Sequence, residues 1–373
     1  MPDSVSSKAR LDFFPSRTLT LYLAKLFIVR ILAVLLMLVL VLQMLDLLSE
    51  SGKILAAAGN SEGDLWTYVG LRVPQLVARF LPYSVLLATI ITLATLNQNS
   101  EVIAMKAAGL SAHQILAPLL LTALAVSLVS FGFNERVVTR SNATLKAWQA
   151  VDYGKIPPVS GIRSNVYVTD GNNVIAAATV AGHGTDMQMT GVTFYRRDAN
   201  NMIDQQIRAA SATYANPGWL LQDPVRFDVR TAETTRLKPL VVAQTLTPEQ
   251  VAISSVNADA LSLGELSRSI DQLNAAGRRT NELEGKWWHK ISGPLAAFLM
   301  PLLGAVAAFG LARSGQLFVR AVIGMSLGFA YFVVDNAALA MGNFGGYPPL
   351  LAAWAPFLLF LLVGETVLVR TEE

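Results

Sequence analysis

The sequence predicts a polytopic α-helical membrane protein with six transmembrane helices, interrupted once by a water-facing β domain inserted between helices 3 and 4. Three observations carry this. Apolar stretches cluster at both ends of the chain, three before and three after a polar middle. The composition is 53% hydrophobic and 15% charged, with a mean hydropathy of +0.45, far from soluble averages. The middle carries short β-type runs separated by turn residues.

Crossing a bilayer takes roughly 20 mostly apolar residues, and lipid offers no partner to an open backbone group, so each span must be a helix. The first runs from about Tyr22 to Leu48, with Ile31 to Leu42 free of polar side chains. It exceeds the roughly 7 to 15 residues of a signal-peptide core and is read as a retained anchor. The second is Leu81 to Leu96, with a helix from Trp66 leading into it. The third, Ile115 to Phe133, and the fourth, Ile291 to Leu311, contain no charge. The fifth spans Phe318 to Met341 and the sixth Leu350 to Val369.

The insert, from about Asn134 to Lys286, has a different period. Asn165 to Val180 is broken by Asp170-Gly171-Asn172-Asn173, the chemistry of a tight hairpin turn. Thr190 to Tyr195, Gln206 to Tyr214, Trp219 to Leu221 and Val225 to Thr231 are further strand candidates, separated by Asp198-Ala199-Asn200-Asn201 and Asn216-Pro217-Gly218. Short strands at this spacing predict a sandwich, a jelly roll or a half-open version of either. Beyond Val256 the pattern turns helical, with Asn257 and Asp259 as caps and Leu261, Leu263, Leu266, Ile270 and Leu273 as a stripe. This connector returns the chain to the membrane near Trp287 and Trp288, indoles suited to the interfacial belt or to packing against the insert.

Lys8, Arg10, Arg17, Lys25, Arg30, Lys106, Arg313, Arg320 and Arg370 fall on one side of the spans, which is therefore the cytoplasmic side; both termini are inside and the insert is outside. The opposing short segments, Gly52 to Asp64 and Gly342 to Pro349, carry Lys53 as their one cation. A net charge of +3 with no basic cluster in the insert argues against nucleic acid. Zero cysteines exclude disulfides and thiol chemistry.

Catalytic signals are missing. Gly52-Lys53, Gly154-Lys155 and Gly285-Lys286 each lack the upstream glycine and the following hydroxyl of a phosphate loop, so the chain hydrolyses no ATP itself. His113, His183 and His289 have no zinc spacing. Charges inside spans are the default functional candidates. Arg30 is close enough to its helix end to snorkel, whereas Asp46 and Asp335 sit toward the outer ends of theirs, either meeting interfacial water or serving gating or cargo.

The sharpest local signal lies between the second and third spans. Asn99 to Leu110 reads as an N-cap candidate, a short helix with Val102, Met105 and Ala108 on one side, and a glycine stop. It is too short to span, so it is either a surface loop helix or a coupling helix for a separate ATPase.

Ser100-Glu101-x-x-x-Met105-x-x-x-Gly109 resembles the coupling-helix motif of the LptF/LptG family of lipopolysaccharide export permeases. The resemblance continues through Asp170-Gly171-Asn172-Asn173, Asp259-Ala260-Leu261-Ser262, Trp288-x-Lys290-Ile291-x-x-Pro294, Phe309-Gly310-x-x-Arg313-Ser314 and Val319-Arg320-x-Val322-x-Gly324-x-Ser326-x-Gly328-Phe329. The fifth-span stretch ending in Val334-Asp335 is more similar to the LptG branch than to LptF.

The resemblance implies a multi-pass bacterial inner-membrane permease: helices 1–3 over residues 1–134 with a coupling helix near 99–110, a periplasmic β-jelly-roll domain plus connector helix over 135–286, and helices 4–6 over 287–373. It implies an LptF-type permease partner, an LptB-type ATPase dimer that binds ATP and Mg, LptC and a periplasmic bridge, lipopolysaccharide or a related glycolipid as cargo, and no cofactor in this chain. Ser100, Glu101, Val102, Met105 and Gly109 carry the coupling, Glu101 as the polar contact and Val102 and Met105 as the apolar ones. The lipid-cargo candidates are Asp46, Lys53, Lys146 and Asp335. Here the chain departs from the family: where lysines are usual in the outer first span it has Gln43, Ser49 and Glu50, and an arginine pair after the third span is replaced by Lys146 and Gln149. Two other classes stay open, a membrane-anchored periplasmic scaffold and a proton-coupled lipid carrier working through Asp46 or Asp335.

Overall fold

The computed structural model describes residues 15–154, 163–182, 184–198, 201–248, 250–251, 257–275, 279–309 and 317–370. Lys8, Arg10, His183, the Ala199-Asn200 turn and the Gly310 to Ser314 part of the family motif lie outside these. Six helices are long and apolar enough to cross a membrane. They are α1 (Arg17–Ala56), α2 (Glu62–Gln98), α4 (Ala112–Phe133) continued by α5 (Thr139–Ala150), α7 (Asn281–Phe309), α8 (Leu317–Asn343) and α9 (Pro349–Arg370). Between α2 and α4 lies the short α3 (Glu101–Ala107), and α6 (Leu263–Ala275) precedes α7.

The chain forms two compact units. One holds the chain through Leu40, Arg79–Gly132 and Trp288 onward; the other holds Val41–Ala78 and Phe133–Trp287. In the first, α1 buries Leu23, Phe27, Ile31, Leu35 and Val39 at four-residue intervals, while Leu21, Val29, Leu32, Leu36 and Met37 face outward. A four-residue row along one helix face is the ridge that packs into a neighbour's groove, and the apolar outward side chains are what a lipid-facing surface needs. Close approach elsewhere depends on small residues, as expected where lipid removes the hydrophobic drive between helices. A Cβ on Gly304 of α7 would lie 2.8 Å from Thr89 Cγ2 of α2, and one on Gly342 of α8 would lie 2.5 Å from the Ala352 Cβ of α9. The Ser127 hydroxyl of α4 donates to the Pro294 carbonyl of α7 at 2.7 Å.

The second unit contains the inserted domain. β1 (Arg163–Asp170), β2 (Asn173–Ala181), β3 (Gln188–Arg197), β4 (Ile203–Tyr214), β5 (Trp219–Gln222), β6 (Val225–Asp228), β7 (Thr234–Arg236) and β8 (Leu240–Val242) make one antiparallel sheet. Asp170 pairs with Asn173 around Gly171, whose φ of 60° is the conformation that the predicted hairpin turn requires. The order is β1-β2-β3-β4-β5-β8, and the long β4 forks: its first half pairs β6, which pairs β7, and its second half pairs β5. The inserted domain is thus an antiparallel β domain whose sheet forks at β4.

The sheet is held by one core running from Val166 and Ile175 through Met189, Phe194 and Ile207 to Trp219, Val242 and Val251. Buried positions alternate until Thr179, Val192 and Ala209, then slip by an odd step to Val180, Met189 and Ala212. At the same level Gly191 has φ 61°, and a Cβ there would stand 2.8 Å from the Ala178 Cβ. Alternation of faces is a hard consequence of strand geometry, so the glycine marks where the sheet gives up its period.

The connector differs from expectation at its caps. Asn257 accepts from the Asp259 amide at 3.2 Å and so caps the short 3-10 turn Ala258–Ala260. The α6 cap is Ser262, whose amide and hydroxyl both donate to Glu265, at 2.9 and 2.8 Å; this holds the Glu265 carboxyl below the usual range. Glu135 reaches the same helix end, accepting from the Leu263 amide at 2.8 Å. Glu135 lies in a π-helical turn, Asn134–Val138, that joins α4 to α5. Of the two indoles, Trp287 is packed, donating to the Leu263 carbonyl at 3.2 Å beside Ala258, Leu266 and Ile270.

Candidate functional site

α3 is only seven residues long, well short of the ~12–15 at which an isolated helix becomes even marginally stable. Its surroundings hold it. At the C-terminus the Gly109 amide donates to the Lys106 carbonyl and the Leu110 amide to that of Met105, at 3.0 and 3.1 Å. That is a Schellman closure, and Gly109 adopts the φ of +88° it demands. Ser111 and Gln114 then form a reciprocal capping box on α4, so no slack lies between the two helices.

The N-terminus behaves differently from the expected cap. Ser100 has φ 60° and makes no side-chain cap bond. Glu101, the first helical residue, is held through its carboxylate: the Tyr22 hydroxyl of α1 donates to Oε2 at 3.1 Å and to Oε1 at 3.4 Å, and Asn99 Nδ2 donates to Oε1 at 3.3 Å. Val102 and Met105 are 6% and 8% exposed, turned into this chain, while Ile103 is 62% exposed. A seven-residue helix without its own stability needs an inward anchor, and those two side chains supply it.

The cargo candidates divide. Asp46 is engaged within the second unit: Arg72 of α2 grips it through Nε at 3.0 Å and Nη2 at 2.9 Å, and the Tyr68 hydroxyl donates to it at 2.5 Å. Asp335 is 5% exposed and faces His289 Nε2 of α7 at 3.0 Å. Asp335 is closed off from water and Asp46 is partly buried, and each ties two helices together. A charge on a helix otherwise facing lipid is tolerable only when so paired.

Lys53 and Lys146 belong to one unit. Lys53 is two-thirds exposed and pairs with Glu50 at 3.1 Å. Glu50 also accepts from the Tyr153 hydroxyl at 2.8 Å. Burial, foremost, pushes Tyr153 up to about 12, so it remains a neutral donor. Asn60 bonds the carbonyls of Ile54 and Tyr153, at 2.8 and 2.7 Å, closing this corner around Tyr68, Leu145 and Trp148. Lys146 meets Asn257 at 3.4 Å and Asp259 at 3.5 Å, placing it against the 3-10 turn. Lys53 is the exposed member of its pair, and Lys146 meets its two partners only at 3.4 and 3.5 Å, so both ammonium groups can exchange these contacts cheaply for a stronger anion.

Tyr22, Arg72 and His289 were missed by sequence reasoning. Arg72 had a legible signal: a span with one acid implies a base on the neighbouring helix, and α1 and α2 are adjacent in sequence. Tyr22 had none, being one tyrosine in an apolar run. Among the described residues no group of three or more His, Asp or Glu could hold a metal ion.

Six apolar helices, a single inserted β-sheet and a short capped helix between the second and third spans define a polytopic membrane protein carrying a β domain. The family described as lipopolysaccharide export system permease LptF/LptG matches residues 21–370, and the chain belongs to it. It is similar to the lipopolysaccharide export system permease protein LptG of Escherichia coli K12, 27% identical over 315 residues covering 81% of this chain and 84% of that protein. It is also similar to LptG of Haemophilus influenzae, 25% identical over 332 residues covering 85% and 89%.

Proposed function

We propose that this chain is the LptG-type permease subunit of an ABC exporter that extracts lipopolysaccharide from the inner membrane and passes it to a periplasmic bridge. An LptF-type chain completes the permease, and a dimeric LptB-type ATPase, binding ATP and Mg, supplies the energy; this chain performs no catalysis. The termini and α3 are cytoplasmic, and the β domain is periplasmic, in line with LptC. The observation that carries the reading is α3: it is capped into α4 at one end, held by Tyr22 at the other, and presents a half-exposed carboxylate beside the exposed Ile103. A short helix bracketed this rigidly transmits displacement into the spans instead of absorbing it.

The test is recovery of the ATPase with this chain. Glu101→Lys reverses the charge offered to a partner and is expected to lower ATPase recovery at least tenfold while the chain still inserts; wild-type recovery would return the reading to a scaffold. A proton-coupled carrier is disfavoured because Asp46 and Asp335 are each committed to an interhelical pair.

Cargo contact is assigned to Lys53 and Lys146. Reversing both to Glu is expected to reduce lipid export severalfold, more steeply at low ionic strength, since each charge near an anionic headgroup is worth about 1 kcal/mol. Export unchanged by the double reversal would mean that the partner chain supplies the cations.

A further inference from the structure

We infer that Tyr22 is a positioning residue for the coupling helix: its hydroxyl fixes the Glu101 carboxylate so that the remaining lone pairs point to a cationic side chain of the partner. The inference rests on the coupling reading above and deepens it by naming what pre-sets the contact.

Three observations support it. The hydroxyl lies within hydrogen-bond distance of both oxygens of one carboxylate, 3.1 and 3.4 Å, and it belongs to a different helix, so α1 is tied directly to the first residue of α3. Little over two turns further along α1, Arg30 donates through Nη1 to the Ile91 carbonyl of α2 at 3.2 Å, next to the last turns before α3 begins. α1 therefore holds α2 two turns before its end as well as the first residue of α3, and Arg30 has a backbone partner as well as a route to the surface. Finally, the backbone at this corner does not set the direction of the carboxylate, because Ser100 is left-handed and offers no side-chain cap.

An ionised carboxylate has about four acceptor sites. Tyr22 and Asn99 occupy one side, and the half-exposed remainder accepts a guanidinium or ammonium group in one geometry. A flexible glutamate would lose rotamer freedom on docking; this one has already lost it, which is the usual gain from preorganisation. Because Tyr22 and Arg30 sit on the same helix, a shift of α1 relative to α2 would move the Glu101 carboxylate and so be felt by the bound ATPase.

The experiment uses the complete permease–ATPase complex reconstituted in lipid, with phosphate release measured with and without purified lipopolysaccharide. Tyr22→Phe keeps the ring and removes the hydroxyl. Expected are an ATPase recovery lowered less than by Glu101→Lys and about a fivefold loss of the lipid-stimulated part of the ATPase rate, the order of one partly exposed hydrogen bond to a charged group. In a Glu101→Gln background the same substitution is expected to cause no further loss, because both act through one contact. A Tyr22→Phe complex with wild-type stimulation, or losses that simply add, would overturn the inference. Glu101→Lys serves as the arm for the underlying reading: if it is defective while Tyr22→Phe is not, only the positioning role falls, and if it is indifferent, the coupling role of α3 falls with it.

Discussion

Trp219→Ala is expected to be the most damaging single substitution in the inserted domain, lowering its stability by about 3–5 kcal/mol. Trp219 is fully buried and stands against Tyr214 in an edge-on arrangement with centroids 5.5 Å apart. Its indole donates to the Leu246 carbonyl at 3.0 Å, joining the chain beyond β8 to β5. Alanine leaves a large cavity and an unsatisfied buried carbonyl, two costs that add because neither can be recovered by collapse in a sheet this small. The neighbouring Gly218, with φ +95°, brings its backbone so close that a Cβ would lie 2.7 Å from the Val242 carbonyl oxygen, so β5 and β8 cannot shift to fill the space. Limited proteolysis of the full chain in detergent is the measurement: new cleavage between Thr213 and Leu246, with the membrane helices intact, is expected. Trp219→Phe should lie between alanine and wild type. A protease pattern unchanged by the alanine substitution would mean that the core centred on Met189 and Ile207 holds without this end.

Gly304→Leu is expected to be the most damaging substitution in the helical unit. A mere Cβ at this position would meet Thr89 Cγ2 at 2.8 Å and Thr89 Cβ at 3.0 Å. Thr89 is fully buried and its hydroxyl donates to the Val85 carbonyl at 2.8 Å, so it cannot rotate away without losing that bond. α2 and α7 must separate instead, and overpacking of this kind typically costs about 1–3 kcal/mol, with a full leucine at or beyond the upper end. Loss of thermal stability of the purified chain in detergent measures the effect. Gly304→Ala should show a smaller loss that Thr89→Ala partly restores, since removing Cγ2 removes the nearer of the two contacts. Failure of that rescue would put the strain elsewhere in the helix pair.

Much of the fold was legible because its signals are local. Long uncharged runs can only be helices in lipid, so each span was visible, although α2 extends outward through Arg72 to Glu62 and α4 runs on through the π turn into α5. β1 to β6 were legible from alternation and from Asp170-Gly171-Asn172-Asn173. β7 and β8 were not. Thr234–Arg236 is exposed throughout and Leu240–Val242 is too short to show a period, so only pairing with β6 and β5 makes them strands. The candidate site shows the same division: the identity of α3 was readable from Glu101, Met105 and Gly109, but which of its faces is free was not.

The sequence by itself determined what each stretch is: six spans, one β-patterned insert and a short capped helix. Hydropathy, period and turn residues are properties of neighbours in the chain, and neighbours are what a sequence displays. Only the tertiary structure decided what each polar group is for. It turned Asp46 and Asp335 from open carboxylates into partners of Arg72 and His289, turned Val102 and Met105 inward, and brought Tyr22 to Glu101. The role of a charge in a membrane protein is set by the one group that faces it, and that group usually comes from another helix far away in sequence.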